Sequence, residues 1–125
     1  MGVTVGKILE KVDTLKPNQF ENSDKVQWII DLESTIHEEL MKTHEGWDGK
    51  DFDGQAFKNE AKQVTAQPPY DDIYVYYLST QIDLYNRELN GYAQTAALFN
   101  AAWTNYKTWY VKTHMPKQIV REFSV

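Results

Sequence analysis

Pro69-Tyr70-Asp71-Asp72-Ile73-Tyr74-Val75-Tyr76-Tyr77-Leu78 is the stretch on which the reading of the fold turns. Proline is pre-set for the first turn of a helix, and aspartates there complement the positive end of the helix dipole. Beyond them the apolar residues cover nearly every side of a helical wheel, so this helix is expected to be touched from several directions. Ile82, Leu84, Tyr85 and Leu89 extend the pattern to Asn90-Gly91, which reads as a C-terminal stop. A further helix restarts near Gln94-Thr95 and runs to His114, ahead of Met115-Pro116. Its small Ala96, Ala97, Ala101 and Ala102 permit close helix approach, and Phe99, Trp103, Tyr106, Trp109 and Tyr110 supply bulk.

Working outward, residues 4–15 place Val5, Ile8, Leu9, Val12 and Leu15 at helical spacing behind Thr4 as cap. Lys16-Pro17-Asn18 stops that helix, because the residue before a proline is pushed out of the α region. Residues 24–43 form the second helix, with Trp28, Leu32, Ile36 and Leu40 as a stripe widened by Val26, Ile29, Ile30 and Met41. Asn22-Ser23-Asp24 offers its cap, Asp24 with Gln27 a capping box, and Glu38 with Lys42 a surface pair. The chain therefore reads as all-α: a single domain, residues 1–125, built as a small bundle of about four helices. A long polar loop, residues 44–69, separates helices two and three and is expected to be mobile, with a short edge strand at 62–65. Residues 117–125 form a tail. The expected core is Trp28, Leu32, Ile36, Tyr77, Leu78, Phe99, Trp103 and Tyr110.

The 125 residues are ordinary for one folded domain, at 42% hydrophobic and 25% charged. With no cysteine, disulfide frameworks, thiolate metal sites and a cysteine nucleophile are excluded. A net charge of -5 argues against a global grip on nucleic acid or an anionic membrane. No apolar run approaches the roughly 20 residues needed to cross a bilayer, and neither a secretory signal nor a myristoylation motif is expected at the first residues. Charge is segregated. Residues 31–60 hold nine acidic residues (Asp31, Glu33, Glu38, Glu39, Glu45, Asp48, Asp51, Asp53, Glu60) against three lysines, whereas residues 92–121 hold no acid and four bases, Lys107, Lys112, Lys117 and Arg121. The two readings are solvated faces, or an acidic side of one copy meeting a basic side of the next.

Catalytic constellations are not legible. His37 reads as a surface residue beside Glu38, while His44 and His114 each follow a threonine at a helix end, where the dipole favours a cation. Asp51-Phe52-Asp53-Gly54 with Glu60 fits part of a calcium loop, but Gly49 occupies the position that needs the first ligand. The glycines at 46, 49 and 54 alternate with aspartates, which would repel phosphate. No cofactor, no metal and no catalytic residue is expected.

The Pro69–Leu78 stretch, Gln81-Ile82-Asp83, Phe99-Asn100-Ala101-Ala102-Trp103 and Thr113-His114-Met115-Pro116 together resemble small proteins of tailed bacteriophages and prophages, namely the head–tail connector, or head-completion, family. Thr4-Val5-Gly6, Leu15-Lys16-Pro17-Asn18 and Trp28-Ile29 fit the same kind of protein. The resemblance implies a helical, non-enzymatic subunit of the virion, assembled in the host bacterial cytoplasm as a ring between portal and tail. Its implied partners are copies of itself, the portal protein and other connector or tail proteins, with no specific nucleic-acid binding and no membrane. Trp47, Phe52, Phe57, Lys107, Lys112, Lys117 and Arg121 are the residues expected to make subunit or partner contacts. Two alternatives stay open: a generic helical interaction module of a bacterial or mobile-element gene, and an enzyme with a carboxylate-bound metal at residues 48–60.

Overall fold

A computed structural model describes residues 2–44, 47 and 49–114. It is all-helical, with four α-helices: α1 (Val5–Leu15), α2 (Asn22–Ile36), α3 (Asp72–Tyr85) and α4 (Leu89–Thr113). A π-helical turn, His37–Met41, prolongs α2, and a 3-10 turn, Gly54–Lys58, lies in the long connection. Wide π turns inside helices recur at functional sites. α3 is the central element, packed against α1, α2 and, most extensively, α4. α3 and α4 run antiparallel: Asp83 meets Gly91 and Thr95 at one end, and Tyr70 stacks on Trp109 at the other.

The local signals for α1 are realised. The Thr4 hydroxyl accepts from the Lys7 amide at 3.3 Å, and Lys16 leaves the helix ahead of Pro17. Two boundaries differ from expectation. α2 is capped by Glu21 without a side-chain bond, and Gln27 donates to Asp31 at 3.0 Å instead of closing a capping box with Asp24. α3 ends at Tyr85, and Asn90-Gly91 lies in the first turn of α4, not at a helix stop. The reversal is made at residues 86–88, where Arg87 adopts a positive φ of 58°. Gly91 has a packing reason instead: a Cβ there would stand 3.1 Å from Asp83 Oδ2.

The core also shifts. Leu32, Ile36, Leu78 and Tyr110 are buried as expected, but Trp28, Tyr77, Phe99 and Trp103 are only half-buried against its edge. The interior is filled by Tyr74, Tyr106 and the apolar face of α1, with Val5, Ile8, Leu9 and Val12 all buried. On α2 the buried stripe runs Val26, Ile29/Ile30, Glu33, Ile36/His37 and Leu40, rotated away from Trp28.

Residues 57–66 of the long connection are better anchored than their polarity suggests. Phe57, Val64 and Ala66 are buried in the common core. The expected edge strand is a single antiparallel bridge, Thr4 with Gln63, supported by Val5 N to Lys62 O at 2.9 Å and Val64 N to Val3 O at 3.1 Å. One short partner segment gives no ladder to extend it. Ion pairs Lys16–Asp83 at 2.7 Å and Lys25–Asp13 at 2.6 Å tie α1 to α3 and to α2.

Candidate interaction surfaces

Glu33 occupies the middle of the apolar stripe of α2 and is 1% exposed. A carboxylate in that position needs donors, and three surround it. The Tyr74 hydroxyl donates to one oxygen, and the Thr65 amide at 3.0 Å and hydroxyl at 2.9 Å donate to the other. The Tyr74 oxygen in turn accepts from the Ala66 amide at 2.9 Å. Burial pushes the Glu33 carboxyl above its ordinary range, opposed by those hydrogen bonds. Burial, then the charge of Glu33, pushes the Tyr74 hydroxyl well above its own. Glu33 is thus a clamp holding residues 65–66 onto α2 and α3, and it leaves the acidic surface. Its sequence signal was available: it lies three residues after Ile30 and three before Ile36, on the buried side. Asp31, Glu38, Glu39, Asp51, Asp53 and Glu60 stay exposed.

Beside this clamp lies a cleft of about 430 Å³ lined by Glu33, His37, Phe52, Phe57, Lys62 and neighbours. His37 is buried, not on the surface, because the loop folds over it. Its Nε2 lies 3.2 Å from the Lys50 carbonyl, and its Nδ1 has no hydrogen-bond partner among the described residues, Glu38 standing 3.7 Å away. Phe52 sits 5.7 Å and Trp47 6.1 Å from the His37 ring, and Phe52 stacks on Phe57 at 6.0 Å. The three aromatics expected to reach a partner therefore join one local cluster. Phe57 is a core residue, which corrects that expectation; Trp47 and Phe52 remain half-exposed at the rim. Among the described residues no three His, Asp or Glu side chains are grouped to hold a metal, and Asp53 instead caps the 3-10 turn through the Gln55 amide.

The histidines at helix ends each approach a backbone carbonyl of the preceding turn. His44 Nδ1 lies 2.7 Å from the Leu40 carbonyl, and His114 Nδ1 3.1 Å from the Tyr110 carbonyl. Both rings pack on Tyr110, His114 stacked at 4.0 Å.

α4 is the least buried of the four helices. Of its 25 residues only Tyr106 and Tyr110 are buried. Tyr77, Phe99, Trp103, Tyr106, Trp109 and Tyr70 form a ladder of ring contacts, 5.1–6.2 Å apart, along the α3–α4 seam. Leu89 (76% exposed), Tyr92, Leu98, Trp109 and Val111 face outward. The Lys107 ammonium sits 5.6 Å over the Trp103 ring, and Lys112 is exposed in the last turn. Lys117 and Arg121, the other two expected basic contacts, lie outside the described residues, as does the tail.

A second aromatic patch, not anticipated from sequence, closes the opposite end of the bundle. Trp28 stacks on Tyr85 at 5.7 Å, and Phe20 meets both edge-on at 5.5 and 6.3 Å. With Asp24 and Gln27 these rings line a pocket of about 280 Å³. Phe20 falls outside every helix, so no periodicity marked it.

No family model, curated protein or solved structure matches the chain. No helix among the described residues is long and apolar enough to cross a membrane.

Proposed function

We propose that this chain is a structural subunit of a phage or prophage virion, a head–tail connector that assembles as a ring between portal and tail. The observation that carries the reading is α4: a 25-residue helix with two buried residues and five large apolar side chains left in solvent. A long helix that buries so little of itself and keeps large apolar side chains in solvent is a candidate face for another protein. α4 is stiffened by its aromatic seam with α3 and needs little ordering to dock, which lowers the entropic cost of association. The exposed acids of α2 and the loop, set against the acid-free sequence of residues 92–121, suit a contact between two different patches, the kind that closes into a ring when the rotation permits. Each exposed charge pair contributes only about 0–1 kcal/mol. Charge then steers orientation, and aromatic area supplies most of the affinity.

The test is assembly on portal-bearing heads that lack a connector. The wild-type chain is expected to bind as a ring and to dissociate partly as salt rises. Reversing Lys107, Lys112 and Arg121 to Glu should reduce ring occupancy while leaving the helical circular dichroism unchanged. A wild-type chain that never binds such heads overturns the connector reading in favour of a generic helical interaction module. A triple variant that assembles normally at low salt removes the role of charge.

A further inference from the structure

A groove of about 340 Å³ runs between α3 and α4, with Tyr70 and Tyr76 on one side and Leu98, Ala101 and Ala102 on the other. That volume lies within the roughly 300–1,000 Å³ of sites that hold a ligand. The small Ala101 and Ala102 leave the α4 wall without bulk, and Leu98 is 49% exposed beside them. Asp72 is the one charged residue in the lining. Lys11 stands 3.5 Å from it, and the Asp72 side chain is still half-exposed.

The described chain ends close to this groove. His114 closes α4 in an extended conformation, and its ring lies 6.3 Å from Trp109. Trp109 in turn stacks at 5.1 Å on Tyr70, which belongs to the groove wall. Residues 115–125, outside the described residues, carry Ile119, Val120, Phe123 and Val125, with Lys117 and Arg121 against the single acid Glu122. Fully extended, they reach about 36–40 Å. At the helical rise, Asn105 at the near end of the groove stands about 13 Å back from His114, and Leu98 at the far end about 24 Å. The segment is therefore long enough to cover the groove, apolar enough to fill it, and opposite in charge to Asp72 and its neighbour Asp71.

We infer that residues 117–125 dock into the α3–α4 groove of their own chain, with Ile119, Val120 and Phe123 against its apolar walls and Lys117 and Arg121 toward Asp71 and Asp72. Covalent linkage selects this occupant. A segment on a short tether meets its site at an effective concentration on the order of millimolar, whereas a second copy must find the groove from dilute solution. The docked segment covers Leu98, part of the α4 face offered to another protein, so docking and assembly compete for that surface. The inference concerns one chain by itself and does not depend on the connector reading.

The chain has no cysteine, so engineered pairs report contact directly. Ala101→Cys in the groove and Ser124→Cys in the segment are near-isosteric changes, and both are made in one full-length chain. The control pairs Ser124→Cys with Asn100→Cys, an exposed position at the same height on α4 but outside the groove lining. Helical circular dichroism checks that each variant folds. On oxidation of dilute protein, the Ala101 pair should close an intramolecular disulfide at least about tenfold faster than the Asn100 pair, since burial of Ile119 and Phe123 outweighs a bias of that size. Its rate should not change on dilution. Adding Ile119→Ser and Phe123→Ser should abolish the preference. Equal rates for the two pairs, or a preference that survives the serine substitutions, overturn the inference. Disulfide dimers whose yield falls on dilution also overturn it, and give the groove to the segment of a second copy.

Discussion

Replacing Tyr74 by Phe removes one buried oxygen and unmatches two partners. Glu33 loses the hydroxyl that donates to it, and the Ala66 amide loses its acceptor. A hydrogen bond to a charged group contributes about 1.5–3 kcal/mol, and an orphaned buried amide costs about 1–3 kcal/mol. The two losses share one atom and do not add fully, and Phe retains the ring packing of a side chain that is 0% exposed. The expected destabilisation is about 2–4 kcal/mol, a large part of the roughly 5–15 kcal/mol that a domain has in total. Equilibrium urea unfolding reads it directly. At a slope of about 1–3 kcal/mol per molar, the midpoint should fall by about 1–2 M with the slope unchanged. Amide exchange at Ala66 should accelerate in the same variant. A Tyr74→Phe chain within about 0.5 kcal/mol of wild type, with Ala66 still protected, would refute the clamp.

Glu33 also predicts a pH dependence. Its folded-state pKa is raised above the ordinary 4.5, so the folded chain holds this proton more tightly than the unfolded chain does. The associated stability is fully present below about pH 4.5 and is lost as pH rises through the folded value. Glu33→Gln abolishes that titration, so the stability of the variant minus that of wild type should rise as pH climbs from 4.5 toward neutral; urea titrations across that range check the sign. Trp103 is half-buried and Tyr106 is 1% exposed, so Tyr106→Ala should cost about 3–5 kcal/mol and Trp103→Ala clearly less in the same assay. Hydrogen exchange should find the Val5, Gly6 and Val64 amides protected, since each donates to a backbone carbonyl of the opposing segment. Exchange at Val64 as fast as in an unfolded peptide would return residues 62–66 to the status of an open loop.

Helix existence was legible from residues alone because it is a local property. Thr4 capping α1, Pro17 ending it, the Glu38–Lys42 pair at 3.4 Å and the aromatic density of α3 and α4 all act within a few residues of themselves. The all-α class followed from those signals. Of the candidate contacts, Lys107 and Lys112 were legible in the charge pattern and Lys112 is exposed, but Phe57 went into the core. What the bundle decided was which side of each helix faces inward. A stripe that includes Trp28 and one that includes Glu33 differ by a modest rotation of α2, and only the donors brought by Thr65 and Tyr74 make a buried carboxylate tolerable there. Asn90-Gly91 carries the chemistry of a stop, yet it opens α4 because Asp83 packs where a side chain on residue 91 would sit. Residues 44–69 look unanchored in sequence, since Phe57, Val64 and Ala66 are spaced without period, and their burial depends on surfaces supplied by α1 and α2. Contacts between residues distant along the chain carry no periodic signature, so their energies enter only once the bundle has closed.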